Sequence, residues 1–128
     1  MADIEVGGRF GRHKANADVL EGRLAGRRTG LPVPRTLMDG IAGPVAGALP
    51  LQVLMRHGAT GLSVSDDEAL DAMAVAFPTL KLVLEPAGAA SLAAVLARKT
   101  KLDGKTVVLV ASGGNVDPSG VQQALART

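Results

Sequence analysis

The chain has 128 residues, 47% of them apolar, and a formal net charge of +2. It is long enough for one domain with a core, and too apolar for intrinsic disorder. Without cysteine it has no disulfides or thiolate metal sites, and without a membrane-length apolar run or a signal-peptide pattern it is expected to be cytoplasmic, with no membrane partner. Phe10 and Phe77 are the sole aromatics, so Ala, Val and Leu must build the core. Arg9, Arg12, Lys14, Arg23, Arg27, Arg28 and Arg35 crowd the first 35 positions. Asp3, Glu5, Asp18 and Glu21 dilute that field, and Phe10 alone is interleaved, so a solvated surface is expected and no nucleic-acid partner.

Residues 1–15 are polar, glycine-dotted and aperiodic, and no regular structure is expected there. Residues 16–28 carry a modest helical pattern, with Val19, Leu20, Leu24 and Ala25 near one face and Asn16 or Asp18 as cap. Pro32 and Pro34 make residues 31–35 a loop. A helix follows over 49–57, with Pro50 tolerated in its first turn. His57 stands near its C-terminus, where a partly charged imidazole is favourable, and no catalytic use of it is expected.

Residues 60–64 read as a short strand. Ser65 opens the clearest helix, over 65–77. Ser65-Asp66-Asp67-Glu68 is a capping box, and both aspartates suit the positive helix end. Leu70, Met73, Ala74 and Phe77 form its apolar face. Four polar side chains in a row could suggest a metal or an acid–base pair; capping accounts for them.

A short apolar run at 80–84 ends at Glu85 and Pro86, and an alanine-rich helix over 86–98 follows. Its small residues allow close packing against a sheet or a ligand. Glu85 stands alone between apolar runs, so it belongs at the surface, at a helix start or beside a partner. A basic turn at 99–105 leads into residues 105–111, β-branched and apolar on both faces, the pattern of a buried strand in a parallel sheet. Asp117 and Ser119 can cap a final helix over 120–127. No repeat or linker divides the chain. Short strands alternating with helices predict an α/β architecture.

The stretch at 107–117, VVLVASGGNVD, organises the rest. Its apolar run stops at Ser112, and Gly113 and Gly114 permit a sharp turn or a close approach to a ligand. On spacing alone this is equally a tight strand-to-loop turn that happens to contain a serine. If the run is a strand, Ser112 sits at its carboxyl end, where open α/β sheets bind ligands.

SGGNVDP at 112–118, with LEPAGAASLAAVL at 84–96 and MDGI at 38–41, resembles the C-terminal part of the serine/threonine dehydratase family. These pyridoxal-phosphate (PLP) enzymes include threonine ammonia-lyase and serine racemase. The likeness runs over about 16–118 and is strongest over 64–118. It implies a partial three-layer αβα domain of fold type II, the tryptophan synthase β-like type. Residues 1–15 would be a disordered or altered arm, from a truncation, a frameshift or a split gene. Residues 16–128 would be the C-terminal portion of the catalytic domain.

The resemblance also implies roles. Ser112 would face the pyridine nitrogen of PLP, where a neutral hydroxyl leaves the ring a weaker electron sink than an aspartate would, which suits β-elimination. Gly113, Gly114 and Asn115 would line the ring, with Glu85 and Gly88 near its opposite edge. The serine and the turn at 85–88 are therefore expected to converge on one cavity. Two parts of the family pattern find no match. None of Lys14, Lys81, Lys99, Lys101 or Lys105 stands in the Ser-x-Lys context of the Schiff-base lysine, and no glycine run matches the phosphate cradle; Gly7-Gly8-Arg9 lacks the amides an anion nest needs.

No catalytic residue is thus expected in this chain, and PLP should bind it weakly or not at all. In serine racemase-like members, acids near the helix at 16–28 hold a divalent cation; His13 and Val19 stand at those positions, with Asp18 one place off, so no metal is expected. The implied function is a segment of a PLP-dependent ammonia-lyase acting on a hydroxy amino acid, incomplete alone, with an N-terminal half chain or a second copy as partner. Racemisation and 3-hydroxyaspartate elimination stay open for the complete protein. So does a non-catalytic α/β module.

Overall fold

The computed structural model describes residues 5–7, 35–42, 48–57 and 60–127. The helix expected at 16–28, nearly all of the loop at 31–35, and His13, Asp18 and Val19 lie outside these residues. The described elements are strand β1 (Glu5–Gly7), a 3₁₀ turn (Asp39–Ile41), helix α1 (Ala48–Arg56), strand β2 (Thr60–Leu62), and helices α2 (Asp66–Leu80), α3 (Ala90–Leu96) and α4 (Pro118–Leu125). β1 and β2 pair in parallel, Glu5 opposite Thr60 and Gly7 opposite Leu62. Residues 1–15 carried no periodic signal, yet Glu5–Gly7 is a strand. Three residues are too few for alternation to register, and the pairing partner lies far along the chain.

α2 forms as its sequence dictates. The Ser65 hydroxyl accepts a hydrogen bond from the Glu68 amide at 3.2 Å, and the Ser65 amide donates to Glu68 Oε2 at 2.7 Å. This is the full reciprocal capping box. The helix does not stop before Pro78 as expected but runs to Leu80. Proline already has a helical φ and forfeits one backbone bond, a local loss near a helix end. Lys81 then terminates it in the left-handed region, φ 59°, and its amide donates to the Ala76 carbonyl.

The remaining acids of the cluster tie distant parts of the chain to α2. Thr36 Oγ1 donates to Asp66 Oδ1. Lys99 pairs with Glu68 at 2.7 Å, and Arg127 reaches Asp71 at 2.6 Å and Asp67 at 3.3 Å. Partial burial works against the charged Glu68 carboxylate, but the bonds from Lys99 and Ser65 outweigh it and hold its pKa below the ordinary value. The bond to Asp71, aided by both carboxylate charges, raises Arg127 further above the physiological range.

The core is mostly alanine. Ala69, Ala72 and Ala76 on α2 and Ala89, Ala90, Ala93 and Ala94 on and beside α3 are buried, with Met38 and Val64 the largest fully buried side chains. Small side chains let α2 and α3 pack closely, and α4 adds Ala124. α3 is shorter than the expected 86–98: residues 86–89 form a turn in which the Ala89 amide donates to the Glu85 carbonyl at 3.0 Å. α4 begins two residues earlier than expected, because Pro118 suits the first helical position. Asp117 occupies its N-cap, but through its carbonyl, which accepts from Gly120 and Val121; its side chain makes no capping bond.

Residues 105–111 depart most from expectation. They are neither helix nor paired strand, and Val107 to Val110 are all exposed. An apolar run becomes a strand only through a ladder of bonds to a neighbour, and among the described residues 105–111 has no such ladder. No helix among the described residues is long and apolar enough to cross a membrane.

Candidate functional site

Two loops meet at one end of α3. The Glu85 amide donates to the Gly113 carbonyl at 3.0 Å, which fixes the turn at 85–88 against the loop that follows Ser112. The approach is close enough to need glycine. A Cβ on buried Gly88 would collide with the Gly113 carbonyl oxygen and stand 2.8 Å from its nitrogen. A Cβ on Gly113 would collide with Glu85 Oε1 and stand 2.8 Å from Cδ. Gly88 is required by space, since its methyl would meet backbone, whereas at Gly113 the Glu85 carboxylate would have to swing away; neither glycine has positive φ.

The candidate residues differ in setting. Gly88 is buried, Glu85 and Gly113 are half-buried, and Ser112, Gly114 and Asn115 are exposed. Ser112 thus sits at the rim, with no hydrogen-bond partner among the described residues. From the other end of the segment, the Ser91 hydroxyl donates to the Val110 carbonyl at 3.0 Å, so the first turn of α3 holds the approach to Ser112.

The sequence reading missed Gly40. MDGI was matched as a motif but not placed at the site. In the fold, the 3₁₀ turn brings Gly40 against the same acid: a Cβ there would stand 3.3 Å from the Ala87 Cβ and 3.6 Å from Glu85 Oε1. Glu85 is therefore flanked by two backbones without side chains, Gly40 and Gly113. The signal was the glycine of MDGI, whose contact across some 45 residues of chain no spacing rule conveys.

The two segments converge, but by direct contact. An apolar cavity of about 10 Å3 lies elsewhere, between α2, α4 and residues 82–84, lined by Met73, Phe77, Leu82 and Val121 among others. It has room for about one water and none for a cofactor. What the Ser112 loop offers is a single wall: an exposed hydroxyl, a backbone free of side chains beside it, and a carboxylate behind. That donor set fits one edge of a planar nitrogen heterocycle. No group of three or more metal-ligating side chains occurs among the described residues.

Comparison with known proteins shows the family. Residues 10–113 match the family model described as pyridoxal-phosphate dependent enzyme. The chain is 39% identical over 82 residues to L-threonine ammonia-lyase of Thermotoga maritima, covering 64% of this chain and 20% of that one. It is 34% identical over 87 residues to serine racemase of Schizosaccharomyces pombe, covering 68% and 27%. The solved T.th. threonine deaminase superposes with a TM-score of 0.69 at 36% identity, over 81% of this chain and 38% of the deaminase. The chain thus spans about a quarter of the length of these curated relatives. Over that length it shares their fold, a partial αβα domain of fold type II, and it belongs to the family of pyridoxal-phosphate dependent enzymes.

Proposed function

We propose that residues 16–128 are the C-terminal portion of the catalytic domain of a PLP-dependent ammonia-lyase, which converts a hydroxy amino acid such as serine or threonine to a keto acid and ammonia by β-elimination. Bound PLP would supply the electron withdrawal that acidifies the substrate α-carbon. The chain's own part is to hold one side of the cofactor. The Ser112 hydroxyl, neutral and at the rim, would hold the pyridine nitrogen without adding a charge. Gly113, Gly114 and Asn115 would form a wall on which the ring could lie, with Gly88 and the Glu85 carboxylate packed behind it. The lysine and the phosphate cradle come from outside this chain, with the groups that recognise the substrate. A reducing cytoplasm suits a chain without cysteine.

One observation carries this reading. The Glu85–Gly113 bond joins the two segments whose motifs resemble the family, at 84–96 and 112–118, into one surface. The experiment is an absorbance titration with PLP followed by a keto-acid assay with L-serine and L-threonine. Alone, the chain should give neither colour nor turnover. Joined to the upstream part of a family enzyme, it should give both. In that assembly Ser112→Ala should weaken cofactor binding and slow elimination, and Ser112→Asp should favour side reactions. Turnover by the 128 residues alone would overturn the claim of incompleteness. D-amino acid as the main product would make the assembly a racemase.

A further inference from the structure

Ser112 makes no bond of its own among the described residues, yet the backbone on both sides of it is held. The Gly113 carbonyl accepts from the Glu85 amide, and the Val110 carbonyl accepts from the Ser91 hydroxyl, each at 3.0 Å. Beyond Gly113 the loop closes on itself, the Val116 amide donating to the Gly114 carbonyl at 2.9 Å. Gly114 lies so close to residue 83 that a Cβ on it would stand 2.6 Å from the Val83 carbonyl oxygen. On the other side, the next bonded backbone group before Val110, among the described residues, is the Lys105 amide. Ser91 therefore supplies the hydrogen-bonded anchor nearest to Ser112 on its approach.

Stability does not account for this bond. It lies in an exposed setting, and Val110 is 69% exposed, so water can replace the hydroxyl at little cost. Serine is a weaker helix former than the alanines around it, and no side chain caps α3, so the Ser91 hydroxyl does not serve its own helix. It reaches instead a carbonyl nineteen residues on. We propose that Ser91 is a positioning residue: by holding the Val110 carbonyl it fixes the direction in which the Ser112 hydroxyl leaves the loop, and so sets how firmly this chain holds the ring nitrogen of PLP. The inference rests on the reading above and adds to it a residue that acts through Ser112. With the carbonyls of 110 and 113 both held, the chain between them keeps one course through Ala111 and Ser112. With Val110 released, Ser112 can turn about Ala111, and a hydroxyl that is ordered only on binding loses affinity.

The test has two arms. The first uses the chain alone and measures NMR relaxation. Backbone order parameters at Ala111 and Ser112 should be about 0.85 in the parent, fall below about 0.6 in Ser91→Ala, and recover in Ser91→Thr, which keeps the hydroxyl. Circular dichroism and the thermal midpoint should stay at the parent values, because alanine returns in helix propensity what an exposed bond gives up. The second arm uses the chain joined to the upstream part of a family enzyme and reads PLP affinity by absorbance, with no substrate present. Ser91→Ala should raise the dissociation constant about three- to tenfold, and Ser91→Thr should restore it. In a Ser112→Ala background the same Ser91→Ala change should add nothing further, because the group it acts through is already gone. Unchanged order at Ser112 in Ser91→Ala, a loss that Ser91→Thr does not recover, or an equal loss of affinity in both Ser112 backgrounds would each overturn the proposal; the last would leave Ser91 a structural residue. The functional reading fails separately. An assembly that takes up no PLP removes the cofactor, while the order parameters of the chain alone still decide whether Ser91 holds Ser112.

Discussion

The start of α2 and the segment at 107–114 are both strong sequence signals, yet they fare differently in the fold. Ser65 to Glu68 forms the hydrogen bonds its spacing predicts, because a capping box is satisfied within four residues. Residues 107–111 are richer in strand formers than any other stretch, and they pair with nothing described. A strand is a relation between segments, so its propensity is a demand for a neighbour and not a structure in itself. The difference separates what this chain completes alone from what it leaves for something else to complete.

If the self-contained part is the helical core, removing its largest buried group should have the largest effect. Met38 is 1% exposed, on the loop that Thr36 anchors to Asp66. Met38→Ala should cost about 2–5 kcal/mol, the usual range for a buried methionine truncated to alanine. Urea unfolding followed by helical circular dichroism measures it. A loss under about 1 kcal/mol would mean that this loop is not part of the cooperative unit, and the contrast would move to a different boundary.

Gly88→Ala attacks the junction between the two regions. The added methyl meets backbone atoms of Gly113, which cannot rotate away as a side chain would. Separation of the two loops should cost about 1–3 kcal/mol, as overpacking does. The specific readout is the Glu85 amide, whose protection from exchange should vanish while the α2 amides keep theirs. Retention of that protection would show the two loops to be held by something other than the Glu85–Gly113 bond.

Ser65→Ala should cost about 1 kcal/mol, the typical worth of an N-cap hydroxyl. Lys81→Gly should run the other way. A left-handed lysine carries a Cβ penalty of about 1–2 kcal/mol that glycine lacks. Glycine also gains chain entropy on unfolding, so the net stabilisation should be about 0.5–1 kcal/mol. Thermal melts of both variants beside the parent settle the signs. If Lys81→Gly lowers the midpoint, the end of α2 is held by the lysine side chain rather than by the turn.

Local signals were legible in proportion to how locally they are satisfied. The capping box and α1 follow from residues near their own positions, β2 was legible as a short run although its partner is remote, and SGGNVDP with LEPAGAASLAAVL pointed to the candidate site. What escaped was non-local. β1 needs β2 far along the chain, and Gly40 matters only because the fold brings it to Glu85. Asp66 and Asp67 were read as serving the helix dipole, and with Asp71 they also bind Thr36 and Arg127. No spacing within α2 could say that, because the partners come from segments that fold back onto it.

The smallest effect tests whether those long-range ties add to the local ones. Glu68 serves both: its carboxylate accepts from the Ser65 amide and pairs with Lys99 beyond the end of α3. These bonds lower its pKa in the fold, from an ordinary value of 4.5. A carboxyl depressed by folding contributes stability that is fully present above its unfolded pKa and is lost as pH falls through the folded one. The contribution should therefore be intact at neutral pH and decline progressively once the pH drops below about 4.5. Both partners are partly solvated, so the Lys99 share should be about 0.5 kcal/mol or less and should shrink in high salt. Other carboxylates titrate in the same window, so the measurement is a difference. Urea midpoints of the parent and of Glu68→Gln are compared at neutral pH and below pH 4, with and without Lys99→Ala. Glutamine can still cap the helix but cannot form the ion pair, so the parent should exceed Glu68→Gln at neutral pH and the gap should close in acid. With Lys99→Ala in both backgrounds, the neutral-pH gap should narrow. A gap that ignores Lys99 would mean that the tie from α3 adds nothing to a cap already complete within four residues.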